Sequence, residues 1–112
     1  MKFTTVEAPE HVTFLALEGE LNIAGAKEIR SEFLEIIQSH AKPVILDFSQ
    51  VDFLASFGMR LLVEAHKSVA LDNHVVVILN PQPSVSKVLE SAGLSSIIAS
   101  TFSKEEAFAL AK

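Results

Sequence analysis

The chain has no cysteine, which excludes disulfide bridges and thiolate metal sites from the start. Its four glycines stand singly, and isolated glycines build neither a P-loop nor a dinucleotide fingerprint. No apolar run approaches the roughly 20 residues of a membrane-crossing helix. The best, Val75 to Leu79, falls far short. A secretory leader is not expected either, because Glu7, Pro9, Glu10 and His11 break up the first apolar letters. Positive charge is scarce: Lys and Arg total 9 against 14 Asp and Glu, a net charge of -5. That balance repels a polyanion at long range, no local basic cluster reverses it, and nucleic acid is a poor partner. These absences predict a cytoplasmic protein with no direct membrane insertion.

What is present suits one globular domain. A length of 112 residues and an apolar fraction of 49% allow a single buried core over 1–112 and argue against disorder. There is no linker, internal repeat or low-complexity stretch.

Two short strands are expected at Phe3–Val6 and Val12–Leu17, joined across Pro9 and ended by Gly19. In "NIAGAKEIRSEFLEIIQSH", Ala26, Ile29, Phe33, Ile36 and Ile37 recur at helical spacing, with charged residues opposite. "PVILDF" reads as a strand buried on both faces. After Ser56, the positions Gly58, Leu61, Leu62, Ala65 and Val69 repeat the helical pattern, and Arg60 and Glu64 lie one turn apart as a weak ion pair. "HVVVILN" is a further strand, and Val85, Val88, Leu89 and Ala92 mark a third helix closed by Gly93. "SIIAS" reads as a short last strand, and Ser103 with Glu106 forms a capping-box pattern for a last helix through Leu110. The predicted order is β-β-α-β-α-β-α-β-α. It implies an α/β fold: a mixed, mostly parallel sheet of four to five strands with about four helices packed on it.

Catalytic constellations are lacking. His11, His40, His66 and His74 show no metal-ligand spacing and read as surface histidines, so neither a metal nor a cofactor is expected. Asp47 ends a buried strand, as phosphoacceptor aspartates do in response-regulator receivers. Receivers also need an acidic pair after the first strand to hold magnesium, and "EAPEH" leads into a second strand instead. Asp47 is therefore expected to close its strand by bonding to the next turn. No enzyme is indicated.

Ser56 admits two readings. A serine directly before a helical pattern is a preferred N-cap. The same place suits phosphorylation, because the partial positive charge and free N–H groups of a helix start tolerate a phosphate of roughly −2 charge. Gly58 would let a partner's backbone or an incoming phosphate come close.

The block "VILDFSQVDFLASFGMRLL", with "LEGELN" before it and "VLESAGLSSII" after it, resembles the STAS domain family, which includes bacterial anti-sigma factor antagonists. Asp47, Phe48, Ser49, Val51, Phe53, Leu54, Ser56, Gly58 and Met59 stand at the positions of the family's central motif, and Asn22 replaces an acid in its Gly-x-Leu-Asp. The resemblance implies a non-enzymatic protein that binds an anti-sigma factor serine kinase, frees a sigma factor and so regulates transcription. Phosphorylation of the serine falling on Ser56 would abolish binding, and a phosphatase would restore it. The implied docking face comprises Asn22, Ala55, Phe57, Gly58, Arg60 and Glu64, and a weak homodimer is compatible with it. Ala55 replaces a common Asp and Phe57 a small residue; the ring is either core packing or an interface anchor. The alternative implied by the family is an unphosphorylated accessory subunit of a membrane transporter or signalling assembly.

Overall fold

The computed structural model describes residues 1–112. The elements follow the predicted order: β1 (Lys2–Thr5), β2 (Thr13–Leu21), α1 (Ile23–His40), β3 (Val44–Leu54), α2 (Ser56–Ala70), β4 (Val76–Leu79), α3 (Pro83–Ser91), a 3-10 turn (Leu94–Ser96), β5 (Ala99–Thr101) and α4 (Lys104–Leu110). The five strands lie side by side in sequence order, β1 antiparallel to β2 and every later pair parallel. Each parallel return passes through a helix, because two parallel strands cannot be joined by a tight turn.

Alternation along the central strands divides the core between the two faces of the sheet. Leu15, Leu17, Leu46, Phe48, Val76 and Ile78 point to one face, where Ile29, Phe33 and Ile37 of α1, Leu61, Leu62 and Ala65 of α2, and Val85 and Leu89 of α3 cover them. Phe14, Ile45, Val77 and Leu79 point to the other, beneath Ala107 of α4. The run Val76–Leu79 is buried throughout because it is covered on both sides.

Three boundaries differ from the sequence reading. Gly19 does not end β2, which runs on to Leu21. The glycine instead takes φ +117° at an irregularity in the register with β3, a backbone state that side-chain-bearing residues rarely adopt. Strand β3 likewise continues past Phe48 to Leu54, so Asp47 lies within the strand rather than at its end. Its Oδ1 accepts the N–H of Ser49 at 2.9 Å, a local bond inside the strand. Finally, the last strand falls at Ala99–Thr101, because Leu94–Ser96 forms the 3-10 turn.

The two extended strands set the end of the molecule from which α1 and α2 start. Leu21 pairs with Leu54, so β2 and β3 finish level. Each passes into its helix after one capping residue, Asn22 before α1 and Ala55 before α2. The N–H of Ala55 donates to the carbonyl of Leu21 at 3.2 Å, tying the two exits together. Helices α1 and α2 therefore start side by side.

Candidate functional site

The first turn of α2 lies beside that of α1, and Ser56 is its first residue, solvent-exposed. The N-cap is Ala55, not Ser56, and no side chain caps the helix. This corrects the capping reading of the serine: its hydroxyl is not engaged in holding the helix start. The first intrahelical bond of α2 is from Met59 N–H to the Ala55 carbonyl at 3.0 Å. The amides of Ser56, Phe57 and Gly58 come before that bond and have no intrahelical acceptor.

Asn22 does for α1 what Ser56 does not do for α2. Its Oδ1 accepts the N–H of Gly25 at 2.8 Å, and its amide nitrogen reaches Glu20 at 3.4 Å. Asn22 is half-buried in this cap, so its first role is to hold the helix start.

Gly58 faces inward, opposite to the expectation that it admits a partner. It is buried, and a methyl group placed there would lie 2.5 Å from the Leu21 carbonyl oxygen and 2.6 Å from Leu21 Cγ. The glycine allows α2 to seat directly on the end of β2. That close seating holds Ser56 and Phe57 at the sheet rim.

Phe57 is intermediate between the two alternatives left open by the sequence. It is half-buried, packed against the core on one side. The Nζ of Lys27 and the Cζ of Arg60 each lie 5.7 Å from its ring centroid, within reach of the ring's negative π face. Arg60 itself is exposed.

Glu64 does not pair with Arg60. It takes Arg30 of α1 in a two-pronged contact, with Nε to Oε1 at 3.2 Å and NH2 to Oε2. Two donors of the guanidinium fork meet both carboxylate oxygens across the helix pair, adding geometric specificity to the charge attraction. The hydrogen bonds that Arg30 donates to Glu64, then the charge of that carboxylate, hold the Arg30 pKa above its ordinary value.

Several of these residues border one groove of about 760 Å³ running over α2, flanked by α1 and by Ala92 and Leu94. Its apolar lining includes Phe57, Met59 and Val63, and its cations are Lys27, Arg30, Arg60 and Lys67. The groove unites Ser56, Phe57, Arg60 and Glu64; Asn22, Ala55 and Gly58 support its end without lining it. Lys27 and Arg30, expected only on the polar face of the first helix, and Lys67 were not among the predicted site residues. The i, i+3 and i+4 spacing of Lys27 and Arg30 on α1, and of Arg60, Glu64 and Lys67 on α2, was the available signal. Spacing within each helix does not reveal that the two helices lie adjacent. None of the four histidines enters the groove, and no cluster of His, Asp and Glu is arranged to hold a metal ion. No helix is long and apolar enough to cross a membrane.

The chain is similar to known proteins over nearly its full length. BtrV of Bordetella bronchiseptica, named as an anti-sigma factor antagonist, is 26% identical over 96% of this chain and 93% of its own. The solved structure of the anti-sigma factor antagonist SpoIIAA in its unphosphorylated form is 25% identical, with a TM-score of 0.78 over 96% of this chain and 93% of that one. The phosphorylated form of SpoIIAA, a Bacillus cell fate determinant, is 24% identical with a TM-score of 0.70, covering 96% of this chain and 97% of that one. The family model for the STAS domain matches residues 4–109, and with the five-stranded sheet and four helices described above, the chain belongs to the STAS domain family.

Proposed function

We propose that this protein is an anti-sigma factor antagonist: in the cytoplasm it binds an anti-sigma factor with serine-kinase activity, and phosphorylation of Ser56 ends that binding. The observation that carries the reading is the state of Ser56, exposed at the first position of α2 with no capping duty to lose. A kinase can reach such a hydroxyl, and the unbonded amides of the first turn favour a nearby dianion. The fold would survive the modification while the docking face changes by roughly two negative charges. Two relatives named as anti-sigma factor antagonists support the partner class, and the solved forms of SpoIIAA include both phosphorylation states of that protein. A phosphatase completes the cycle by removing the phosphate.

The test is a pull-down from native extract followed by intact-mass measurement before and after phosphatase treatment. The expected result is capture of a kinase-type anti-sigma factor that adds one phosphate with ATP, and no phosphate in Ser56→Ala. Ser56→Asp should weaken the complex by about 2 kcal/mol, roughly thirtyfold. Undiminished labelling of Ser56→Ala would move the site elsewhere. Stable co-purification with a transporter or scaffold, with no labelling at all, would replace this reading by that of an accessory subunit.

A further inference from the structure

The groove over α2 carries a charge opposite to that of the molecule around it. The chain is net -5, yet four of its nine cationic side chains line this one depression, against a single carboxylate. That carboxylate, Glu64, is already held by Arg30. The ion pairs of the molecule are Met1–Glu28, Lys2–Glu18 and Arg30–Glu64, so Lys27, Arg60 and Lys67 have no anionic partner. Two of these three flank the half-buried ring of Phe57, and Met59 and Val63 extend the apolar lining beside it.

We propose that this groove docks an acidic segment of the partner, with an apolar side chain set against Phe57 and carboxylates meeting Lys27, Arg60 and Lys67. The inference rests on the reading of the Ser56 face as the partner-binding face and adds the chemistry of what binds there. Charge complementarity selects the occupant: a basic segment would meet three uncompensated cations, whereas an acidic one supplies the counter-charges the groove lacks. The same arrangement gives the phosphorylation switch a physical route. A phosphate on Ser56 would enter the lining of this groove and compete with the partner's carboxylates for the same cations. Burial of an aromatic ring between exposed cations also suits an anchor site, because ring and charges can be desolvated together.

Two labelled amphipathic peptides serve as probes. They share one pattern of leucines; one carries glutamates on its flanks and the other lysines. Each is titrated into the full chain, with backbone amide shifts followed by NMR at low and high salt. The glutamate peptide should saturate the amides of Phe57, Met59, Arg60 and Val63, and weaken as salt rises. In Lys27→Glu/Arg60→Glu it should bind about tenfold more weakly while the lysine peptide gains. Both side chains are exposed, and circular dichroism checks that the double variant is folded. Equal binding of the two peptides, no saturable shift in the groove, or no change in the double variant would each overturn the proposal. Failure here with Ser56 still phosphorylated would remove only the docking inference. Acidic-peptide binding with Ser56 unmodified would leave docking standing and remove the switch.

Discussion

Replacing Gly58 by alanine sets two physical effects against each other. Helix propensity alone favours alanine by up to about 1 kcal/mol. The structure opposes it: the new methyl would lie 2.5 Å from the Leu21 carbonyl oxygen, 2.6 Å from Leu21 Cγ and 3.0 Å from Leu54 Cδ1. The nearest of these is backbone at the end of β2 and cannot rotate away. Restoring ordinary contact requires the first turn of α2 to lift by roughly 1 Å. Such overpacking costs about 1–3 kcal/mol. The lift also strains the 3.2 Å bond from Ala55 N–H to that same carbonyl, worth about 0.5–1.5 kcal/mol. After subtracting the propensity gain, Gly58→Ala should destabilise the fold by about 1–3 kcal/mol, lowering the melting midpoint by roughly 4 °C per kcal/mol. Urea unfolding followed by circular dichroism measures the free-energy difference directly. A variant as stable as the parent, or more stable, would refute the claim that α2 is seated on β2 through this glycine.

The two helix starts should respond differently to loss of their polar residues. Asn22→Ala removes the cap bond to Gly25 N–H and should cost about 1 kcal/mol, whereas Ser56→Ala removes no cap and should shift stability by less than about 0.5 kcal/mol in urea melts. In Arg30→Ala the Glu64 carboxylate is left without its partner inside the groove, so an acidic ligand should bind more weakly, with the loss largest at low salt in a fluorescence titration.

The order and type of every strand and α-helix were legible in the chain because periodicity of two or of three to four survives wherever one face is buried and the other wet, whereas the 3-10 turn at Leu94–Ser96 was not. Phe33 and Ile37 recur on the covered side of α1, and the all-apolar Val76–Leu79 is a strand covered twice. The ends of β2 and β3 were less legible. Gly19 carries a usual strand-ending signal, yet its conformational freedom is spent on an irregularity that lets the strand continue. The stretch Ser49–Leu54 alternates weakly, and its strand character depends on pairing with Glu18 to Leu21 of β2. At the site, the motif around Ser56 drew attention to the first turn of α2, while local pattern assigned its serine a capping role that Ala55 occupies without a side-chain bond.

By itself, then, the sequence determined the α/β alternation, the family and the rim position of Ser56, because these follow from local spacing and from a motif contiguous along the chain. Only the tertiary structure decided that Gly58 turns inward onto Leu21, that Glu64 takes Arg30 rather than Arg60, and that Lys27 joins Arg60 about the ring of Phe57. The physical reason is common to all three. Each depends on β2 and β3 ending level, and residues some thirty positions apart acquire an electrostatic or steric relation only when strand pairing brings those strand ends and the helices that follow them together.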